Sequence, residues 1–367
     1  MTPFWLRRPV LLARCATADR ERPDLAALER IDDPERFVWA ILPHAARTFS
    51  ACIVLLPAPS ALPAAVAYLY CRMLDTYEDL VPDRAEREAS LLAFAARLEG
   101  AGHGGEVAAA PAILAASDMD ARDRAHLLLV ARAALVDQVF ASFDPVTRGV
   151  IADLVREMAE GMQWSSAIFA AQGGVLRGDE QLAAYCRHVL GNPVVFAIRL
   201  VRLGRGLSPT LAADEREHAM RVGEMVQLAN VTRDVEKDLR RGIAYDASLA
   251  GDLHVAGAPR GERMVEDVRV VRERLLRMAL VRAPSYARII DAMELPRLSL
   301  ARASAVVMLL FTERHFRGCT RLVGLATWPG PDSSGLILLR GVLAAASRDR
   351  AAREVARIES AFLVCGA

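Results

Sequence analysis

The sequence predicts an all-α protein, and two observations carry that prediction. Apolar residues recur at three- and four-residue spacing along most of the chain, whereas the alternation typical of strands is scarce. Alanine, leucine, arginine and glutamate dominate the composition, as in proteins built from long helices. We expect helices over approximately these residues: 32–56, 61–81, 85–99, 120–140, 146–172, 180–204, 214–240, 261–281 and 295–322.

Glycine and proline mark breaks between these helices. The richest stretches are 99–106, 251–261 and 327–335, and the last precedes a helical tail rich in alanine and arginine. None of the breaks brings a lasting change of composition. We therefore predict one helical domain over residues 31–367, preceded by an N-terminal arm of residues 1–30.

The overall composition excludes several classes of protein. The 367 residues are 53% hydrophobic and 25% charged, which is enough to bury a large core. Lys+Arg 46 against Asp+Glu 45 gives a net charge of +1, so the chain has no bulk attraction to nucleic acid or acidic lipid. The six cysteines are widely spaced without a CxxC or Cys/His metal pattern, which favours a reducing, cytoplasmic location.

The N-terminal segment, MTPFWLRRPVLLARCATA, carries arginines inside its apolar stretch, so we predict no signal peptide. The longest apolar runs, such as 303–311, fall short of the roughly 20 residues that a membrane span needs. Phe4, Trp5, Arg7 and Arg8 leave two alternatives open. Either these residues contact a membrane surface, or the N-terminal arm packs against the rest of the protein. We favour the second alternative.

Acidic residues cluster at the end of the helix predicted over 61–81. Asp75 and Asp79 share one face of it, because they are four residues apart. Like charges at this spacing repel, and acids near a helix C-terminus oppose its dipole, so a cation should compensate them. Magnesium would do so through the carboxylates and the phosphate oxygens of a substrate. The alternative is a solvated helix end whose acids pair with arginines such as Arg72.

A second acidic helix begins near Asp214, which we predict as its N-cap, and ends at Gly242, which we predict as its C′ residue. A polar stripe at three- and four-residue steps runs beside an apolar row of this helix. Its members are Gln227, Asn230, Asp234 and Asp238. Such a stripe can line a cavity, and the alternative is again a face exposed to solvent.

The combination of the two helices favours a catalytic role. Each has aspartates four residues apart, and each has an arginine before the first aspartate, Arg72 or Arg233. Two facing carboxylate pairs can hold several magnesium ions, which turn a diphosphate into a leaving group and so allow an allylic cation to form. The arginines would donate to phosphate oxygens. This chemistry needs no histidine base, and we assign no catalytic role to any of the seven histidines.

The acidic segments resemble the two motifs of the squalene/phytoene synthase family. Residues 68–79 read YLYCRMLDTYED, similar to the first motif in its squalene synthase form, and residues 227–238 read QLANVTRDVEKD, similar to the second. The resemblance covers about residues 35–315. It implies a single-domain isoprenoid-synthase bundle of helices around a central cavity. It also implies four metal ligands, Asp75, Asp79, Asp234 and Asp238.

Other segments extend the resemblance. HAARTFSACIVLLP is similar to an early family segment and implies a diphosphate contact for Arg47, while MAEGM, the Tyr185–Cys186 pair and RRGIAY resemble later ones. The catalytic positions that follow are Arg47, Tyr68, Arg72, Tyr185 and Arg233. The substrate-binding positions are Phe49, Gln227, Asn230 and Tyr245. Aromatic faces could also stabilise a carbocation, with core packing as the alternative, at Phe49, Tyr68, Tyr77, Trp164, Phe169, Tyr185 and Phe196.

Two segments depart from the family pattern. Residues 240–249, RRGIAYDASL, lack the family's usual Tyr-Leu-Pro or Trp-Pro ending, so the loop that closes over the site is expected to differ. The Val-Ala-Gly-x-Val-Gly stretch that follows the Tyr-Cys pair in the family is Val-Leu-Gly-Asn-Pro-Val here, at residues 189–194. Pro193 should kink this helix. The exchange of glycines for larger residues alters the floor on which a second prenyl chain would lie.

The resemblance implies a prenyltransferase that joins two prenyl diphosphates head to head with Mg²⁺. Farnesyl diphosphate, a cyclopropyl diphosphate intermediate and a C30 product such as squalene are the expected species. Use of NADPH and the oligomeric state do not follow from the sequence. Two alternatives keep the fold: a cyclase or small-molecule prenyltransferase, and a non-catalytic protein that binds prenyl diphosphate.

Overall fold

The computed structural model describes residues 3–19, 21–81, 83–99, 120–255 and 262–366. Helices dominate this part of the chain. The α-helices are α1 Phe4–Thr17, α2 Leu25–Glu29, α3 Pro34–Leu55, α4 Ala58–Leu80, α5 Arg84–Glu99, α6 Ala121–Ala131, α7 Ala133–Ala141, α8 Pro145–Ala171, α9 Asp179–Cys186, α10 Asn192–Leu203, α11 Ala213–Arg240, α12 Glu262–Leu280, α13 Ser285–Ala292, α14 Leu300–Leu322, α15 Ser334–Ala345 and α16 Arg348–Gly366. A π-helical turn spans Arg187–Gly191, and a 3₁₀ helix spans Ala247–Val255.

The all-α prediction is confirmed. The described residues contain no β-strand, although an isolated β-bridge joins Val175 to Ala244. Two of the predicted breaks reach beyond the described residues: 100–106 and 256–261 lie outside them. The break at 327–335 is a loop that ends where Ser333 caps α15 by accepting a hydrogen bond from the backbone N–H of Leu336.

The described chain packs as two compact units. The first consists of Met1–Met162, Arg199–Pro209 and Ser299–Ser304. The second consists of Gln163–Ile198, Thr210–Leu298 and Ala305–Ala367. Each unit draws on several separate segments, so the order of the chain alone does not divide them. The single domain after an N-terminal arm stays a prediction.

Helix α1 of the predicted arm is anchored to α3 in the first unit. Arg7 forms an ion pair with Glu35 at 2.6 Å, and Arg8 donates to the backbone oxygens of Val54 and Leu56 at 3.1 and 2.9 Å. The ring of Phe4 also lies 5.3 Å from that of Trp39. Three of the four residues considered for membrane contact are therefore engaged within the protein, while Trp5 is 66% exposed.

Several predicted helix ends differ from the observed ones. Helix α11 has Ala212 rather than Asp214 as its N-cap, because the side chain of Glu215 accepts a hydrogen bond from the Ala212 N–H at 2.8 Å. The helix predicted over 120–140 is interrupted at Arg132. The last predicted helix begins at Leu300 instead of 295.

The helix predicted over 180–204 is divided by the π-helical turn that precedes Pro193. Within this turn the N–H of Asn192 bonds to the carbonyl oxygen of Arg187, five residues back. Proline has no N–H to continue an α-helical ladder, and its ring crowds the preceding turn, so a wider turn accommodates it. The expected distortion at Pro193 is thus a π-helical turn on its N-terminal side.

The same turn crosses α11 at a pair of glycines. A Cβ atom on Gly223 would lie 2.3 Å from the Cα of Gly191, a distance that no real side chain adopts. The glycines therefore permit the two backbones to pack in direct contact. This contact fixes the π-helical turn against the helix that carries the second acidic motif.

We predict that Gly223→Ala destabilises the protein by about 1–3 kcal/mol or more, because the added methyl group forces the two backbones apart. Gly149→Ala is the matched control. Gly149 lies in α8 with nothing within 4 Å of an added Cβ, so alanine should stabilise that helix by about 0.5–1 kcal/mol. Denaturant unfolding of both variants measures the difference, and equal stabilities would contradict the close crossing.

Candidate active site

The first acidic motif lies in the C-terminal turns of α4, in the first unit. Arg72 Nη1 forms an ion pair with Asp75 Oδ2 at 3.0 Å, and Asp79 follows one turn later at an exposed position. The helix is uninterrupted through this segment, and the hydroxyl of Thr76 donates to the Arg72 carbonyl at 2.7 Å. Asp75 and Asp79 therefore share a helix face, as the four-residue spacing predicts.

A tyrosine also contacts the guanidinium of Arg72, and a phenylalanine lies beside that tyrosine. Arg72 Nη2 donates to the hydroxyl of Tyr68 at 3.1 Å, and the Tyr68 ring lies 5.9 Å from that of Phe49 on α3. The Nε of Arg72 is buried and has no hydrogen-bond partner among the described residues. Tyr68 and Asp75 thus orient a guanidinium that retains an unused donor.

The electrostatics of this helix end are unfavourable for two ionised carboxylates. Burial raises the pKa of Asp75, Arg72 opposes that rise, and the neighbouring charge of Asp79 adds to it. A divalent cation at the pair would reverse the effect of Asp79, because it attracts both carboxylates. Arg47 lies in α3 of the same unit, but its side chain is outside the described residues, and its diphosphate contact stays a prediction.

The second acidic motif occupies the C-terminal half of α11, in the second unit. The helix ends in a Schellman motif: the N–H of Gly242 bonds to the oxygen of Leu239, and the N–H of Ile243 bonds to that of Asp238. Gly242 has a φ of +78°, which suits the predicted C′ residue. The turn after Asp238 is therefore fixed by backbone hydrogen bonds.

Asp238 is the most perturbed carboxylate of this helix. Burial, together with the nearby charge of Asp234, raises the pKa of Asp238 to about 6, while Arg241, Lys237 and a hydrogen bond from Tyr245 oppose the rise. Two carboxylates one turn apart again resist simultaneous ionisation. A cation between them would remove this penalty.

Tyr245 belongs to a cluster of three aromatic rings. Its ring centroid lies 5.4 Å from that of Tyr185 and 6.2 Å from that of Phe169, and the two tyrosine hydroxyls are 3.4 Å apart. The isolated β-bridge fixes this arrangement, since the N–H and oxygen of Ala244 bond to Gly174 and Leu176 at 2.8 and 2.9 Å. The segment next to Tyr245 is thereby tied to the loop after α8.

The tyrosines and Asp238 form one connected polar group beside an aromatic wall. The Tyr245 hydroxyl reaches both Asp238 and the Tyr185 hydroxyl. Phe169 and Tyr185 meet edge to face, with ring centroids 6.1 Å apart. Such a wall presents π-electrons that attract a cation, beside the carboxylates that would hold a metal.

Arg233 does not extend away from its helix. Its Nε donates to Asp234 Oδ1 at 2.6 Å and its Nη2 contacts Asp234 Oδ2, so the two neighbours form a two-contact ion pair. Burial and the nearby Arg233 lower the pKa of His315 to about 4, which leaves the imidazole neutral. The neutral His315 Nε2 can therefore accept from Arg233 Nη1, 3.1 Å away.

The sequence interpretation missed His315. It lies on α14, 82 residues after Arg233, and no motif spacing connects the two positions. The polar stripe itself behaves as predicted at its N-terminal end, where Asn230 Nδ2 donates to Gln227 Oε1 at 3.2 Å. Gln227 is buried, which shows that this part of the stripe is not a solvent face.

The donor chemistry of both motifs suits magnesium. Within residues 3–19, 21–81, 83–99, 120–255 and 262–366, no group of three or more histidine, cysteine, aspartate or glutamate side chains is placed to hold a metal ion. Magnesium commonly takes only one or two carboxylates and completes its octahedron with water and phosphate oxygens. Each aspartate pair fits that requirement when a diphosphate is bound.

Comparison with solved structures shows which fold the chain shares. Two structures of a squalene synthase, TcSQS, share the fold: the complex with ligand BPH1237 has a TM-score of 0.65 at 16% identity, and the complex with E5700 has 0.62 at 19%. Each covers 91% of this chain, which in turn covers 92% and 100% of those chains. No curated protein matches the sequence.

The squalene/phytoene synthase family model matches residues 42–311, so the chain belongs to that family. Members of the family are prenyltransferases that condense prenyl diphosphates head to head, and this chain is an enzyme of that kind. No helix of the described chain is long and apolar enough to cross a membrane.

Proposed function

We propose that this enzyme joins two molecules of farnesyl diphosphate head to head in a magnesium-dependent reaction. The observation that carries the proposal is the repeated arrangement of α4 and α11. Each presents two aspartates one turn apart beside an arginine that is held in place by a second group, Tyr68 for Arg72 and His315 for Arg233. Family membership supports the reaction class.

In this proposal Asp75, Asp79, Asp234 and Asp238 hold magnesium, which supplies the positive charge that makes diphosphate a leaving group. Arg72 and Arg233 donate to diphosphate oxygens, and Arg47 does so from α3. Arg233 must exchange its contact with Asp234 for a phosphate contact when substrate binds. Its present ion pair keeps Asp234 neutralised until then.

The aromatic residues have a separate role. One substrate releases its diphosphate and becomes an allylic cation. A double bond of the second substrate attacks this cation, and loss of a proton closes the ring of a cyclopropyl diphosphate. Tyr185, Tyr245 and Phe169 stabilise positive charge through their rings, and Tyr68 with Phe49 does so beside the first motif. A second ionisation releases the other diphosphate and leaves a rearranged C30 cation. Hydride transfer from NADPH would convert that cation to squalene, capture of water to hydroxysqualene, and loss of a proton to a dehydro product.

A single-substrate cyclisation is the second candidate. The π-helical turn at Arg187–Gly191 supports it, because it begins two residues after Tyr185 and replaces a glycine-rich segment of the family. A changed backbone at this position would limit the room for a second prenyl chain. The two candidates share metals and aspartates and differ in the carbon number of the product.

The test is to incubate the purified protein with Mg²⁺ and farnesyl or geranylgeranyl diphosphate, with and without NADPH. Diphosphate release and the hydrocarbon products are measured together. We expect chelator-sensitive release and a C30 product. A C15 or C20 product alone would replace the proposal with the cyclisation, and the absence of release from both substrates would refute both.

A further inference from the structure

A cleft of about 560 Å³ opens on the second unit, beside the N-terminal half of α11. Its charged lining residues come from the π-helical turn, from α11 and α13, and from the connection between α12 and α13. Four arginines take part: Arg187, Arg221, Arg282 and Arg288. A volume of this size lies within the range of small-molecule sites. From Arg221 to Asp234 the distance along α11 is about 20 Å at 1.5 Å per residue, so the cleft is separate from the second acidic motif.

A buried glutamate organises two of the arginines. Glu224 is 2% exposed, and its Oε1 accepts from Arg187 Nε at 2.6 Å while its Oε2 accepts from Arg282 Nε. A carboxylate so enclosed holds both guanidinium groups in fixed orientations. Because each arginine uses its Nε for this contact, its terminal nitrogens remain for other partners.

Donors in the cleft exceed the acceptors. Glu217, the second acid of the lining, already accepts from Arg187 Nη2 at 2.9 Å and from Arg221 Nε at 3.2 Å. Within the described residues, neither terminal nitrogen of Arg221 has an acceptor, and Arg282 Nη2 has none either. Arg288 forms no hydrogen bond or ion pair with any described residue. Four guanidinium groups thus face two carboxylates that are both in use.

A phosphoanion matches these unused donors. Guanidinium groups bind phosphate oxygens through paired, charge-assisted hydrogen bonds, and several arginines are needed to neutralise a diphosphate. His218 adds a ring nitrogen, since its Nδ1 is 3.2 Å from Ser285 Oγ and its Nε2 has no hydrogen-bond partner in the described part of the chain. Val281 and Pro284 supply apolar lining beside the charges.

We propose that this cleft, defined by Arg187, Arg221, Arg282 and Arg288, binds a diphosphate group without metal at a site separate from the second acidic motif. The ligand is free diphosphate or the diphosphate head of a prenyl chain. The inference does not rest on the proposed reaction, because none of the cleft residues has a role in it.

The test is titration calorimetry with inorganic diphosphate in the presence of EDTA, which removes magnesium from the acidic motifs. The double variant Arg221→Gln/Arg288→Gln should bind at least about tenfold more weakly than the parent, a loss of about 1.4 kcal/mol. Arg269→Gln/Arg353→Gln is the matched control. It removes the same charge from positions of α12 and α16 that do not line the cleft, and its affinity should equal that of the parent.

Equal weakening in both double variants, or no binding by the parent at millimolar diphosphate, would overturn the proposal. Farnesyl diphosphate, titrated under the same conditions, identifies the source of the ligand. Affinity at least tenfold above that of inorganic diphosphate assigns the cleft to a prenyl diphosphate, and equal affinity assigns it to free diphosphate. Asp234→Asn should leave binding in EDTA unchanged, which separates this test from that of the proposed function.

Discussion

Asp234→Asn should lower magnesium-dependent diphosphate release by about 1000-fold. Enzymes lose activity on this scale when one group that stabilises charge in the transition state is removed. The substitution keeps the size of the side chain and removes the charge that would hold a cation. Asp75→Asn should have an effect of similar size, because the proposed reaction uses both aspartate pairs. The measurement is kcat/KM for diphosphate release with saturating Mg²⁺ and farnesyl diphosphate.

Glu236→Gln is the control for Asp234→Asn. It removes a carboxylate from the same helix at a position two residues away, where Glu236 lies 3.8 Å from Arg272. Its activity should stay close to that of the parent. Full activity of Asp234→Asn, or an equal loss in Glu236→Gln, would exclude Asp234 as a metal ligand.

The same motif predicts a pH effect on the stability of the metal-free protein. The pKa of Asp238 is about 6 in the folded protein, above its ordinary value of 3.8. The folded state therefore binds the carboxyl proton of Asp238 more tightly than the unfolded chain does. The contribution of Asp238 to the free energy of unfolding is lost as pH rises from 3.8 through about 6. Asp238→Asn should be more stable than the parent above pH 6 in EDTA.

Glu313→Ala should destabilise the fold by about 3–5 kcal/mol, which is the second large effect that we expect. Glu313 on α14 is fully buried, and Arg357 of α16 donates to its two oxygens at 2.7 and 2.9 Å. The indole N–H of Trp328 also donates to Glu313, at 3.1 Å. Removal of the carboxylate leaves the indole N–H without its acceptor and takes from the guanidinium the carboxylate that accepts from both of its terminal nitrogens.

Glu354→Ala provides the matched control, because Glu354 pairs with the same Arg357 at 2.8 Å and both side chains are partly exposed. A partly exposed pair of this kind contributes about 0–1 kcal/mol. The free energies of unfolding of the two variants, obtained with denaturant, give the comparison. Similar losses in both would show that burial of Glu313 does not decide its contribution.

The sequence predicts the helices well where periodicity is long and uninterrupted. Helix α4 is observed at Ala58–Leu80 against a predicted 61–81, and α11 at Ala213–Arg240 against 214–240. The π-helical turn before Pro193 is only partly predictable. Proline signals a distortion locally, but its form depends on the crossing of Gly191 with Gly223.

The candidate site likewise contains features that the sequence predicts and features that it does not. The aspartate pairs and their arginines can be predicted from the sequence, because residues four apart share a helix face regardless of the tertiary fold. The role of His315 cannot be predicted from the sequence, since its contact with Arg233 joins positions 82 residues apart. The hydrogen bond from Tyr245 to Asp238 likewise depends on the β-bridge that holds Ala244.

The sequence by itself determined the all-α class, the two acidic helices and the family, because these depend on local periodicity and on residues close together in the chain. The tertiary structure alone decided which groups restrain the arginines, where the aromatic wall lies, and that a buried Glu224 orients Arg187 and Arg282 in a cleft. Such contacts form between segments distant in sequence, and only the packing of the helices brings them together.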